Sequence, residues 1–180
     1  SNKNECTHLC KDEINWLQQQ LKSAHERGVS VLIAAHIPPG IDMYSGHLSW
    51  NETAHNLFFE GMAPWSENIV ALFVGHSHME ESQFIQFKDQ VPIPVIYTAG
   101  LSTAHGNSPS FKFVQLSMDT QSKKWSLKNY QTYHYINHAF QFYYDAKHVF
   151  CKNNENEVLL SHCFAKFIQD HRLSELQKII

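Results

Sequence analysis

The chain has 180 residues, of which 43% are hydrophobic, so it is long enough to enclose a core of its own. Its 14 Lys and Arg against 17 Asp and Glu give a formal net charge of -3, so nothing in the charge balance favours a nucleic-acid polymer or an anionic membrane as the main partner. No apolar run approaches the length of a membrane-spanning helix, so we expect no transmembrane segment. At the start of the chain, residues 11–27 carry apolar side chains at helical spacing, and Gly28 predicts the end of that helix.

Two apolar strands that end in histidine are the next predicted elements. Residues 29–35 predict a strand, buried on both faces, that leads into His36, and residues 69–74 predict another that leads into Gly75-His76-Ser77-His78. The carboxyl ends of strands are the edge at which layered α/β sheets hold their sites, so we expect the histidines to meet there. The glycine of the second motif should let the backbone approach a bound ion closely.

The remaining elements are predicted from alternation and turn residues. Residues 50–61 predict a helix, and the loop at 99–110 should return to the histidine edge. We expect an antiparallel meander of strands at residues 83–88, 93–98, 111–118 and 125–133. Helical periodicity predicts a small C-terminal cap at residues 156–170 and 173–180. The predicted fold class is α/β (α+β), with a main body at residues 1–135 and a helical subdomain at 136–180.

Four cysteines, none in a CxxC pair, argue against a metal site built from sulfur. Their even number and the glycosylation sequon at Asn51 favour an oxidising compartment with disulfides, and buried free thiols are the alternative. We predict a disulfide between Cys151 and Cys163 that fixes the C-terminal helix. Cys6 and Cys10 are expected to pair locally or with partners outside the chain.

His36, His76 and His78 are the candidate metal ligands. Imidazole nitrogen is a preferred ligand of zinc, iron and manganese, and the i, i+2 spacing in the turn can direct two rings at different ions. Two close divalent ions can activate water and hold a phosphoryl group in line between attacking and leaving oxygens. The alternative, that each histidine is only a polar loop residue, is disfavoured by the combination of the pair with an upstream strand-terminal histidine.

The sequence around these histidines resembles a known family. Ala35-His36-Ile37-Pro38-Pro39-Gly40 and Gly75-His76-Ser77-His78 resemble the last two motifs of the calcineurin-like metallophosphoesterases, and the first is similar to the acid sphingomyelinase branch. The resemblance implies half of a layered αββα sandwich with a small C-terminal helical cap. It also implies two divalent metal ions, zinc in this branch, with His36 and His76 on one ion and His78 on the other. The implied substrate is a phosphoester or phospholipid: sphingomyelin, another phosphocholine ester or a nucleotide phosphate.

The front motifs of that family, Asp-x-His, Gly-Asp and Gly-Asn-His, are absent from these 180 residues. Without their bridging carboxylate, three neutral imidazoles do not offset the charge of two divalent ions, and the general acid is missing as well. We therefore expect the chain to be inactive alone and its site to be completed by an N-terminal half, in the same precursor or in a separate chain. One alternative is a non-catalytic binding module that kept the fold. A second is a mononuclear hydrolase on the three histidines, with Asp42 or Glu80 as its carboxylate.

Tyr44, His47 and His105, in loops expected near the histidine edge, are the candidate substrate-binding residues. Trp50 and His55 are interpreted as packing residues of the helix at 50–61. The chain also carries 13 histidines, which gain charge near pH 6 and so make its electrostatics sensitive to an acidic compartment. We expect a secreted or lysosomal, lumenal protein, or a periplasmic or secreted one if the source is bacterial.

Two further groups of residues each allow two interpretations. Glu80 and Glu81 follow the histidine turn directly, where they are either acceptors that orient the imidazoles or solvated charges. The aromatic residues between Tyr130 and Tyr144 are interpreted mostly as packing of the core or of the C-terminal cap, with a lipid-facing patch as the alternative.

Overall fold

A computed structural model of the chain describes residues 8–42, 45–87, 90–103, 106–151 and 159–171. The helices in these ranges are α1 (His8–Glu26), α2 (Glu52–Met62), α3 (Ala146–Phe150) and α4 (Leu160–His171), with a 3₁₀-helix at Ala63–Asn68 after α2. The strands are β1 (Val31–Ala34), β2 (Ile69–Val74), β3 (Ser82–Ile85), β4 (Ile93–Tyr97), β5 (Ser110–Met118), β6 (Trp125–Ile136) and β7 (Ala139–Asp145).

Helix α1 ends at the glycine that the sequence indicated. Gly28 has a φ of 65°, a left-handed conformation that glycine adopts at little cost. Its amide donates to the carbonyl oxygen of His25 at 3.0 Å, and the amide of Val29 donates to that of Ala24 at 2.8 Å. This pair of bonds satisfies carbonyls that the helix end would leave free. The predicted helix and its glycine stop are confirmed.

The first sheet places the two histidine-bearing strands side by side. Its strand order is β1-β2-β4-β3; β1, β2 and β4 are parallel, and β3 is antiparallel to β4. Helices α1 and α2 cover one face through Leu21, Phe58 and Met62, which pack with Leu72 and Val95 of the sheet. Because β1 and β2 run parallel, His36 and the 75–78 turn follow them at the same edge.

A second sheet packs on the other face of the first. It is antiparallel with the order β5-β6-β7, and Tyr130 and Leu127 of β6 meet Ala71 and Ile96 of the first sheet in a shared core. Helices α3 and α4 contribute to that core as well, with Leu160 fully buried. The chain is thus a mixed α/β structure with two packed sheets and few helices, which confirms the predicted fold class.

Two details of the predicted sheets are wrong. Strand β1 lies at the edge of its sheet and leaves Leu32 45% exposed, so it is not buried on both faces. The predicted meander is divided between two sheets, because β3 and β4 join the parallel strands while β5, β6 and the unpredicted β7 form the second sheet. The helix predicted at 156–170 is present as α4, whereas residues 173–180 lie outside the described ranges. The division at residue 135 stays a prediction.

The predicted disulfide between Cys151 and Cys163 is present and joins the end of α3 to α4. Cys10 is also disulfide-bonded, and Cys6 lies outside the described residues. Both cysteines of the C-terminal pair are buried in the core between the sheets.

Replacing Cys151 and Cys163 together by serine should lower the free energy of unfolding by about 3 kcal/mol, because the bond constrains a short loop of the unfolded chain. Urea denaturation of the oxidised protein measures this loss. Lys166→Ala on the exposed side of α4 is the control and should change stability by less than about 0.5 kcal/mol. Equal midpoints for the double serine variant and the parent chain would contradict the prediction.

Candidate metal centre

His36 and His76 lie next to each other at the carboxyl edge of the first sheet. Their ring centroids are 5.4 Å apart, and the rings are nearly perpendicular, at 81°. Backbone bonds fix this approach: the amide of Ala35 donates to the carbonyl oxygen of Phe73, and the amide of Gly75 donates to that of His36, both at 3.0 Å. The two strand ends therefore hold the imidazoles together.

The spacing of these two rings fits a shared metal ion. Two imidazoles bound to one tetrahedral zinc through bonds of about 2.0–2.1 Å have ring centres roughly 5 Å apart, close to the 5.4 Å observed. A Cβ atom on Gly75 would lie 3.6 Å from Nδ1 of His36, so this nitrogen faces the backbone of the turn and Nε2 is the farther one. The donor set and the spacing suit zinc or a similar divalent ion.

The described residues contain no group of three or more His, Cys, Asp or Glu side chains arranged to hold one metal ion. His36, His76 and His78 are all described, and they do not form such a group in this structure; the alternative of a mononuclear site on these three histidines stays a prediction. An ion between His36 and His76 would need its further ligands from elsewhere. This agrees with the absence of the front motifs from the sequence.

The histidines of the turn adopt an uncommon backbone conformation. His76 has a φ of 72° and His78 a φ of 58°, whereas Gly75 is not among the residues with positive φ. Gly75, by contrast, allows close contact between the turn and His36. A left-handed non-glycine residue costs of order 1–3 kcal/mol and persists where its surroundings enforce it, often at functional sites. In this turn, both left-handed residues are candidate metal ligands.

His78 faces a different part of the backbone from His36. A Cβ atom on Gly100 would lie 3.4 Å from Nδ1 of His78, so the imidazole lies against this glycine. The amide of Ser110 donates to the carbonyl oxygen of Gly100 at 3.3 Å, which ties the start of β5 to the same place. The loop at residues 99–110 therefore returns to the histidine edge as predicted.

Glu81 and Ser77 brace the turn from within. Burial raises the pKa of the Glu81 carboxyl; a hydrogen bond from Ser77 opposes this, and the charge of Asp42 adds to it. The Ser77 hydroxyl also accepts a bond from the amide of Met79 at 3.2 Å. Tyr97 lies nearby, and burial together with the charges of Glu81 and Asp42 raises the pKa of its phenol. These contacts hold the middle of the turn in place.

Glu80 binds a buried lysine of the second sheet, a contact that the sequence analysis missed. Lys112 of β5 donates to the Glu80 carboxylate, and their side chains are only 3% and 16% exposed. Burial lowers the pKa of Lys112, and the charge of Glu80 and the hydrogen bond to it oppose that shift. The alternation of Lys112 with Phe111 and Phe113 was the available signal, since it places the lysine on the opposite face of the strand. The expected role of Glu80 and Glu81 in orienting the imidazoles stays a prediction.

The candidate substrate-binding residues and the two packing residues of the helix are the remaining sequence predictions. His47 has an exposed side chain in a turn closed by a bridge between Ile41 and Leu48, and its carbonyl oxygen accepts the amide of Asp42 at 2.9 Å. Tyr44 and His105 lie outside the described residues. The packing interpretation is confirmed for the helix candidates: His55 is buried, and Trp50 contacts Phe58 with ring centroids 5.0 Å apart.

The outward side of the second sheet carries a connected group of aromatic rings, the outer aromatic face. Neighbouring ring centroids are 4.9–5.8 Å apart. Its members are Phe111, Phe113, Tyr133, Tyr135, Phe140 and Phe142. Phe113 is 61% exposed. Among the aromatics between Tyr130 and Tyr144, the interpretation as packing residues is wrong for Tyr135, Phe140 and Phe142, which are 41%, 44% and 56% exposed. It holds for Tyr130 and Tyr144, which line the inward side.

A cleft of about 870 Å³ lies at the opposite ends of the strands. It is lined by Ile69, Met118 and Trp125 among others and contains none of the candidate ligands. A smaller groove of about 610 Å³ runs beside the histidine turn, along Glu80, Glu81 and Tyr144. We therefore locate the candidate site from the histidines and not from cavity size.

Comparison with known proteins identifies the relatives of the chain. It is 34% identical over 113 residues to the sphingomyelinase phosphodiesterase D of Dictyostelium discoideum, which covers 60% of this chain and 25% of the relative. It is 27% identical over 124 residues to human sphingomyelin phosphodiesterase, covering 67% of this chain and 18% of the relative. The chain is homologous to the sphingomyelin phosphodiesterases. The predicted resemblance to the acid sphingomyelinase branch is thereby confirmed.

The similarity to these relatives covers only part of their length. The chain spans about a quarter or less of the length of these sphingomyelin phosphodiesterases. No family model matches it. A solved structure of a putative 5'-nucleotidase from Staphylococcus aureus aligns over 63% of the chain and 20% of its own length, with a TM-score of 0.41 and 22% identity. No helix among the described residues is both long and apolar enough to cross a bilayer.

Proposed function

We propose that this chain is the histidine-bearing half of a metal-dependent phosphodiesterase of the acid sphingomyelinase type. The observation that carries the proposal is the approach of His36 and His76, 5.4 Å between ring centroids, at the ends of neighbouring parallel strands. The homology to sphingomyelin phosphodiesterases supports the reaction class.

Each histidine has a proposed role in this site. His36 and His76 bind one divalent ion and His78 binds a second, with zinc as the proposed metal. When bound, such a pair of ions supplies Lewis-acid activation of water and of the phosphoryl group. The chain itself supplies neutral nitrogen ligands and fixes their positions through the Gly75 amide bond to His36 and the bracing of Ser77.

An N-terminal half completes the site in this proposal. It supplies the bridging carboxylate, the remaining ligands and the general acid that these 180 residues lack. The matched segment makes up 25% of the Dictyostelium relative and 18% of the human one, which leaves room for such a half. The outer aromatic face supports the same view, because a contiguous exposed aromatic surface is typical of an interaction site.

The proposed substrate is a phosphodiester with a small or lipid alcohol, such as sphingomyelin, another phosphocholine ester or a nucleotide phosphate. His47, Tyr44 and His105 are the proposed substrate contacts, and His47 is the one whose exposed position the structure describes. A secreted or lumenal location is proposed with it, supported by the Cys151–Cys163 disulfide.

The second candidate is a non-catalytic binding module, favoured by the absence of the front motifs from the chain. In that case the fold is kept while the site holds no dinuclear centre. The two candidates differ in whether joining the chain to a front half that bears the missing motifs creates a metal-dependent activity.

A fusion protein tests the proposal. The part of the Dictyostelium relative that precedes its matched region is joined to Ser1, and hydrolysis of bis-p-nitrophenyl phosphate is measured with and without chelator. We expect the fusion protein to hydrolyse the ester, the 180-residue chain alone to be inactive, and His78→Ala to abolish the activity of the fusion. His8→Ala, on a 90% exposed side chain, is the matched control and should have no effect.

Two results would argue against the enzyme. Hydrolysis that survives both the chelator and His78→Ala contradicts the metal mechanism. A folded but inactive fusion, together with a 180-residue chain that binds no zinc, supports the binding module instead.

A further inference from the structure

We propose that Lys112 is a positioning residue for the histidine turn and acts on it through the carboxylate of Glu80. The inference rests on the proposed function, because it assumes that the histidines which Lys112 and Glu80 position are metal ligands. It concerns a lysine 34 positions after His78 in the chain, on another sheet.

The ammonium group of Lys112 is held in one place by the second sheet. Beyond its ion pair with Glu80, it donates to the Thr132 hydroxyl at 2.7 Å and lies 3.4 Å from the Tyr144 hydroxyl. It also lies 4.9 Å from the ring centre of Tyr130. A lysine has three donors and no acceptor, so these partners use its full capacity. The charge is therefore fixed and not free to follow a moving loop.

Glu80 is fixed from the same side. Its Oε1 atom accepts bonds from Lys112 and from the Tyr144 hydroxyl, the latter at 2.6 Å. Two residues further on, the Ser82 hydroxyl lies 2.9 Å from that of Tyr130. The residues that follow the histidine turn are thus hydrogen-bonded to the second sheet. The turn begins at Gly75, whose amide is hydrogen-bonded to His36.

The turn is held between these two anchors. His76 and His78, both left-handed, lie between the Gly75 amide at one end and the Glu80 carboxylate at the other. Left-handed histidines persist only where the surroundings enforce them. The ion pair is the anchor on the His78 side, two residues from that ligand.

Stability alone is a poor reason for this pair. Removing two charges from water costs about as much as their attraction returns, and apolar side chains of similar volume often replace such pairs without loss. A buried pair that links a ligand turn to a second sheet is instead suited to fixing position. It also holds the Oε1 atom of Glu80 against Lys112, which makes Glu80 an anchor of the histidine turn in this proposal.

The double variant Lys112→Met/Glu80→Gln separates positioning from folding. Both charges are removed together, so we expect its urea midpoint to stay close to that of the parent chain. Zinc affinity of the 180-residue chain, measured by competition with a chromophoric chelator, should nevertheless fall about 10–100-fold, as is common when partners that orient metal ligands are removed. Amide hydrogen exchange in residues 76–80 should become faster in the absence of metal.

The exposed pair of Lys124 and Glu67, 3.7 Å apart, supplies the matched control as Lys124→Met/Glu67→Gln, which should change neither zinc affinity nor exchange in the turn. Unchanged zinc affinity and unchanged exchange in Lys112→Met/Glu80→Gln would overturn the inference. If the parent chain and a His36→Ala/His76→Ala/His78→Ala variant take up zinc equally, the proposed metal site fails. The exchange measurement on metal-free protein then still decides whether Lys112 positions the turn.

Discussion

Replacing His76 by alanine is expected to weaken zinc binding by the 180-residue chain by more than about 100-fold, since groups that merely orient a metal ligand are already worth about 10–100-fold. His36→Ala should have the same effect, because the two rings face each other at 5.4 Å and are proposed to share one ion. The double variant should then be little worse than either single variant. His78→Ala should leave this first ion in place.

Competition with a chromophoric chelator at pH 7.5 measures these affinities, and native mass spectrometry counts the ions bound. His8→Ala is the control, since its side chain is 90% exposed and lies at the start of α1. A His76→Ala chain that binds zinc as tightly as the parent would show that the strand-end histidines are not ligands.

The approach of these histidines could be predicted because it depends on local signals. An apolar strand followed by a histidine appears twice, and parallel neighbours in a sheet bring their carboxyl ends to one edge. The end of α1 was predictable for a similar reason, since Gly28 supplies the left-handed residue that a helix stop requires.

The arrangement of the later strands depends on partners that alternation does not specify. Strands β4 and β5 are both short apolar runs in the sequence, yet β4 lies beside β2 in a parallel pair and β5 begins a separate sheet. The outer aromatic face has the same origin. Phe111 and Phe113 look like core residues until the sheet shows that Lys112, between them, is the side chain that faces inward.

The site itself was only partly accessible from the sequence. The spacing of His76 and His78 indicates candidate ligands, but it does not indicate their left-handed backbone, because glycine is the usual residue for such a conformation. Alternation with Phe111 and Phe113 could place Lys112 on the inward face of its strand, but it could not indicate Glu80 as the partner, because the contact joins two sheets. These are the features that depend on tertiary packing.

Lys112→Met alone is expected to lower the free energy of unfolding by about 3–5 kcal/mol, because it leaves the carboxylate of Glu80 buried without its cation. The loss should appear as a lower urea midpoint at pH 7. Glu80→Gln in the same chain should restore most of it, since the amide still accepts the Tyr144 hydroxyl and carries no charge that needs compensation.

The exposed pair again provides the comparison. Lys124→Met removes one of the two partners of Glu67, whose side chain is 56% exposed and also lies 3.3 Å from His25; the loss should be less than about 1 kcal/mol because water solvates the carboxylate. Equal losses for Lys112→Met and Lys124→Met would mean that the Glu80 carboxylate reaches water when its lysine is removed. A large loss that Glu80→Gln relieves would instead establish that the Glu80 carboxylate is enclosed between the sheets. Water then does not replace Lys112 as its partner.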